Sequence, residues 1–115
     1  MCGIFGAISS ADIYKEIKPA LDRLSYRGYD SAGVAALTED GFDILKCVGH
    51  PEALEERVVS SGVAIGHNRW ATHGLPTEVN AHPHLSNNGK IALVHNGIIE
   101  NHLELKGFLE KKGFK

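Results

Sequence analysis

Glu39-Asp40-Gly41 splits two short apolar runs and carries the Asp-Gly signal of a tight hairpin. A turn that short can only join antiparallel neighbours, since parallel strands need a long crossover. The run before it, Gly33 to Leu37, is built of small residues. The run after it, Phe42 to Val48, sets Ile44, Lys46 and Val48 on one face and Leu45 and Cys47 on the other. At least part of the sheet is therefore antiparallel, and the other elements must be arranged around this pair.

Before the hairpin, Cys2 to Ile8 reads as a short apolar strand whose two glycines allow another backbone or a ligand to come close. Ile13, Ile17, Leu21 and Leu24 recur at helical spacing, which predicts a helix from about Ala11 to Ser25, kinked or divided at Pro19. Tyr26 to Ser31 breaks the period and reads as a loop. After the hairpin, Pro51 to Ser60 reads as a helix with Pro51 in its first turn and Glu52, Glu55 and Glu56 towards its N-terminal end, closed by Gly62. Val63 to His67 is a buried strand that delivers Asn68-Arg69-Trp70 to its end. From there to Asn88 no period is visible, and an irregular stretch of that length in a small domain is usually functional. Ile91 to His95 is another buried strand, closed by Asn96-Gly97. Asn101 with Glu104 resembles a capping box for a last helix, whose core face is Leu103, Leu105, Phe108 and Leu109 and whose end is Gly113.

The 115 residues make one domain at most. A formal net charge of -2 leaves no electrostatic footprint for nucleic acid. No apolar run approaches the ~20 residues of a membrane span, and the N-terminal stretch lacks the basic region and apolar core expected of a secretory signal. Two cysteines, Cys2 and Cys47, suit a reducing compartment better than a disulfide scaffold, so the expected location is cytoplasmic. Cys47 reads as a small buried hydrophobe.

Three strand ends carry polar residues: Cys2, Asn68-Arg69-Trp70 and His95-Asn96-Gly97. Were those strands neighbours, the three groups would share one rim and suit acyl transfer from an amide. With Met1 removed, Cys2 would hold a thiol and a free α-amine on one carbon, a nucleophile beside its own base. Thiols titrate near 8.5 and α-amines near 7.7–8.0, so roughly a tenth of such an amine is unprotonated at pH 7. The Asn96 amide and the Gly97 N–H could face a tetrahedral oxyanion. Arg69 could hold a carboxylate through two parallel hydrogen bonds. Plainer readings stand beside these: a surface ion pair for Arg69, a tight turn for Asn96-Gly97, a packing anchor for Trp70. His73, His82, His84 and His95 admit a zinc reading, but neither a close cysteine pair nor a His-Glu-x-x-His pattern supports it.

Met1-Cys2-Gly3-Ile4-Phe5-Gly6 resembles the start of class II glutamine amidotransferases, which are N-terminal-nucleophile hydrolases. The blocks from Arg27 to Gly33, His67 to Gly74, Asn80 to His84 and His95 to Asn101 narrow the likeness to the glutaminase domain of the glucosamine-6-phosphate synthase (glutamine–fructose-6-phosphate aminotransferase) family. It runs over essentially all 115 residues. The resemblance implies an α+β fold, the N-terminal-nucleophile αββα sandwich, here truncated to the N-terminal part of the domain with the sugar isomerase domain absent. It implies Cys2 as nucleophile and Asn96 with Gly97 as oxyanion hole. Arg69 would bind the glutamine α-carboxylate, helped by Thr72 and His73, and Trp70 to about Thr77 would close over the substrate. His82 would support the site, and Arg27 would position the N-terminus. The implied partner is L-glutamine, with fructose 6-phosphate served only through the missing domain, in a homo-oligomeric parent. No cofactor and no metal are implied.

The acidic residue that grips the substrate's α-amino group in this family lies downstream of Asn96-Gly97, and no matching position precedes Lys115. The alternative expectation is therefore a truncated, non-catalytic remnant or interaction module of the same domain.

Overall fold

The computed structural model describes every residue except Val58 and His73. Its main body is a four-stranded, fully antiparallel sheet in the order β1-β4-β2-β3, formed by Gly3–Ile8 (β1), Ser31–Thr38 (β2), Gly41–Val48 (β3) and Val63–Arg69 (β4). The hairpin forms as the Asp-Gly signal requires: Thr38 pairs with Gly41, and Gly41 has a φ of 114° that suits glycine.

The pleat divides β4 between two tasks. Ala64, Gly66 and Asn68 face helix α1 (Tyr14–Arg23), while Ile65, His67 and Arg69 face away. Gly66 is small because α1 lies on it; a Cβ there would meet Leu21 Cδ2 at 3.1 Å and Ile17 Cγ2 at 3.2 Å. Ile17 and Leu21 are almost completely buried against Val34, Leu45, Ala32 and Ala64. Each such side chain contributes roughly 1.5–3 kcal/mol of burial. The Asn68 amide donates to Leu21 O at 2.6 Å and ties the helix to the strand. Helix α1 is shorter than its apolar stripe suggests. Asp12 Oδ1 accepts from both Tyr14 N–H and Ser61 N–H, so residues 11–13 join the helix to the β4 approach instead of extending it. Pro19 sits on the exposed side of an unbroken helix, where its missing N–H is tolerated.

The opposite face is covered in part by a second, two-stranded sheet of His84–Leu85 (β5) and Ala92–Leu93 (β6). Gly33 makes this approach possible, because a Cβ there would collide with the His82 carbonyl. Helix α2 (His102–Lys111) closes the chain and ends in a Schellman motif: Phe114 N–H donates to Leu109 O, Gly113 N–H donates to Glu110 O, and Gly113 has a φ of 88°. Among the described residues, no helix is long and apolar enough to cross a membrane.

Several sequence expectations need correction. Residues 51–60 are not a helix; only Pro51–Ala53 make a 3-10 turn, and Leu54 is already extended. Pro51 and Leu54 are its buried apolar anchors among the described residues, and Lys18 and Arg57 draw the segment out through bonds to Leu54 O and Asp43. Tyr26 to Ser31 is not simply a loop: Ser25–Arg27 form a 3-10 turn, and Ser31 opens β2. The strand expected over 91–95 shrinks to Ala92–Leu93, while the long aperiodic stretch contains β5 and a hairpin turn held by Ser86 and Asn88. Asn101 makes no side-chain cap, so the capping box does not form. The apolar face of α2 is present but exposed, with Leu103 at 74% and Phe108 at 55%.

Candidate active site

Register brings the polar strand ends together. Gly3 pairs with Asn68 and Ser31 with Arg69, so Cys2, Arg69 and the start of β2 share one end of the sheet. The Cys2 thiol lies against the backbone of Trp70: Trp70 N–H donates to Sγ at 3.3 Å, and Sγ donates to Trp70 O at 3.7 Å. Arg27 Nε donates to the Cys2 carbonyl at 3.2 Å and holds the N-terminal segment from below. Gly28 packs so closely that a Cβ would lie 2.7 Å from Trp70 N.

Asn96 reaches the same carbonyl from the other layer, with Nδ2 donating to Cys2 O at 3.2 Å. It arrives from the second sheet's side, not from a neighbouring strand as the sequence suggested. Gly97 follows at a φ of 126°. Cys2, Arg69, Thr72, His82 and Gly97 share a cavity of about 230 Å³ with His67, His84 and His95.

Arg69 is in the strand, not beyond it, and is only 8% exposed. The plainer reading of a surface ion pair therefore fails. Its guanidinium donates to Leu75 O at 2.9 Å and Gly74 O at 3.3 Å. Asn80 Nδ2 donates to the same Leu75 carbonyl at 2.9 Å, so the loop after Trp70 is braced from two sides. Trp70 itself is half exposed, which removes the packing-anchor reading; its backbone contributes more than its ring. Thr72 is exposed and lines the cavity, and His73 lies outside the described residues.

Two contributors went unnoticed as individual residues in the sequence. Asp30 donates its N–H to Arg69 O at 3.0 Å and accepts from Ala71 N–H at 2.8 Å through Oδ2, pinning the chain on both sides of Trp70. His67 lies two residues before Arg69 on the same face, a spacing that could have flagged it.

His67, His82 and His84 form a short stack with centroid separations of 4.4 Å. Burial lowers the pKa of all three, that of His82 to about 3, with the neighbouring cationic groups adding to the effect. Among the described residues, no three His, Cys, Asp or Glu side chains are placed to hold one metal ion. The stack has a consequence for stability. Below the usual histidine value of ~6.5 the unfolded chain takes up protons that the native stack refuses, so stability falls with pH. The loss runs from about pH 6.5 towards the folded-state value of about 3 for His82. Each histidine contributes a slope of at most ~1.4 kcal/mol per pH unit, less where solvent screens it. Urea midpoints should therefore drop between pH 7 and 5, and His82→Gln should flatten that dependence; equal slopes in the two proteins would contradict the assignment.

Comparison with known proteins agrees with the geometry. The chain is 53% identical over 119 aligned residues to glutamine–fructose-6-phosphate aminotransferase [isomerizing] from Haemophilus ducreyi, covering 99% of this chain and 19% of that protein. The enzymes of the same name from Thermus thermophilus and Legionella pneumophila are 49% and 51% identical, each covering 100% of this chain and 20% of its relative. The chain matches the N-terminal glutaminase region of the glutamine–fructose-6-phosphate aminotransferases. It spans about a fifth of the length of these curated relatives. No family model matches. Among solved structures, glutamine phosphoribosylpyrophosphate (PRPP) amidotransferase from B. subtilis superposes with a TM-score of 0.80 at 30% identity, covering 100% of this chain and 26% of that one. The chain therefore has the α+β fold of the N-terminal-nucleophile amidotransferases. Cys2, Arg69 and Gly97 line the same cavity.

Proposed function

We propose that this chain carries the nucleophile half of a glutamine-hydrolysing site, with Cys2 as the attacking group. The full-length protein would pass the released ammonia to fructose 6-phosphate and form glucosamine 6-phosphate, its sugar-handling part lying outside residues 1–115. The observation that supports this most is the meeting of the Cys2 thiol, the Gly97 turn and the Arg69 guanidinium in one cavity, with the Asn96 amide bonded to the Cys2 carbonyl.

In this reading Met1, which is 78% exposed, is removed, and the freed α-amine takes the thiol proton. The sulfur bonds to the carboxamide carbon, and its carbonyl becomes an oxyanion facing the Asn96 amide and the Gly97 N–H. Collapse breaks the C–N bond; the nitrogen leaves as ammonia, taking the proton held by the α-amine. Water then cleaves the thioester, releasing glutamate and restoring the thiol. Arg69, with Thr72 and His73, holds the substrate carboxylate, and the braced loop from Trp70 to Thr77 covers the bound glutamine. His82 supports the site wall, and Arg27 keeps the N-terminal residue in place.

Intact mass and glutamine turnover measured on one preparation of the full-length protein test this. Glutamate release should scale with the fraction of molecules that have lost Met1. Normal turnover in molecules that all retain Met1 would overturn the amine as base.

A further inference from the structure

His67 is completely buried in the middle of the site, and none of the steps above uses it. Its Nε2 lies 2.7 Å from Asn96 Oδ1. The amide orientation follows from its other end: Nδ2 donates to Cys2 O, and turning the group over would set two carbonyl oxygens against each other. Oδ1 must then be the acceptor, and Nε2 must carry the hydrogen. The ring packs against His82, and β4 fixes its backbone. Its Nδ1 is buried without a hydrogen-bond partner among the described residues, so the Asn96 contact is the one polar bond that holds the ring's orientation. Asn96 itself is exposed.

We infer that His67 is a positioning residue for glutamine hydrolysis: its Nε2–H fixes the Asn96 amide with the NH₂ end turned towards Cys2, where the oxyanion develops. An amide free to turn over would present oxygen to that negative charge for part of the time. Proximity alone would then fail, because an oxyanion donor must be set in place before reaction. The inference rests on the proposed glutaminase reading and adds a residue to it.

A double-mutant cycle on the full-length protein tests it. Asn96→Ala should lower kcat about 10²–10³-fold, as removal of an oxyanion donor does elsewhere. His67→Phe keeps the ring and loses the donor; kcat should fall roughly 10- to 100-fold, with KM for glutamine nearly unchanged. In the Asn96→Ala background, His67→Phe should cost less than about threefold, because the group it orients is gone. His67→Gln can restore an N–H donor and should recover most of the lost kcat. Equal losses in both backgrounds, or a His67→Gln protein as slow as Asn96→Ala, would overturn the positioning role. If His67→Phe does not fold, the His67→Gln comparison alone decides. Full activity in Asn96→Ala is a different failure, since it removes the oxyanion assignment on which the inference depends.

Discussion

Serine at position 2 should all but abolish glutamine hydrolysis in the full-length protein, with a loss of at least about 10³-fold in kcat, or roughly 4 kcal/mol of barrier. The reason lies in matched acidities. An α-amine titrating near 7.7–8.0 takes a proton from a thiol near 8.5 at little cost. A hydroxyl is several units harder to ionise, and each unit costs about 1.4 kcal/mol. The fold should not suffer, because the Trp70 N–H at 3.3 Å can donate to an oxygen as it does to Sγ. Cys47 is the internal control. It is buried, donates to His50 O at 3.6 Å, and burial pushes its thiol up, so Cys47→Ala should leave turnover intact. Near-normal hydrolysis by the Cys2→Ser protein, with its mass confirmed, would mean that another group attacks.

Alanine at Gly33 should have the largest effect on stability. Gly33 lies in the central strand β2, on the face that receives the second layer. Its added Cβ would run into the His82 carbonyl and come within 3.2 Å of Pro83 Cδ. The obstacle is backbone, not the end of a flexible side chain, so relief requires moving the whole 82–84 segment. Overpacking of this kind costs about 3 kcal/mol or more. The melting temperature of the full-length protein should fall by a few degrees, roughly 2–6 °C. Turnover should fall as well, because His82 and His84 form part of the cavity wall. A Gly33→Ala protein with unchanged melting temperature and rate would show that the two layers are not held this closely.

The parts that sequence made legible are those fixed by local pattern. The Asp-Gly turn, the alternation of Phe42 to Val48 and the Ile17/Leu21 stripe each depend on neighbours a few residues away, and each forms. Cys2, Arg69 and Gly97 were singled out from chemistry; register brings the first two to one sheet end and the second layer adds Gly97 to the same cavity. The expected helix over residues 51–60 failed because its propensity was acidic and capping in kind, with no apolar period to hold it to the sheet. Asn101 with Glu104 failed as a capping box for a related reason: a motif of four residues says which bonds are possible, not which form. His67 and Asp30 were hidden differently. Their partners, Asn96 and Ala71, lie 29 and 41 residues away, and only the fold selects them.

The two-sided character of β4 bears on how such a chain goes wrong. Slipping a strand by one residue exchanges its faces. In β4 that would turn His67 and Arg69 towards Ile17 and Leu21, and carry Gly66 and Asn68 to the cavity. One misstep would thus place a cation and an imidazole in the apolar layer and strip them from the cavity at once. On the proposed assignment of the site, a slip in β4 would cost the interior and the chemistry together, so turnover per mole should fall in step with the fraction of correctly registered molecules.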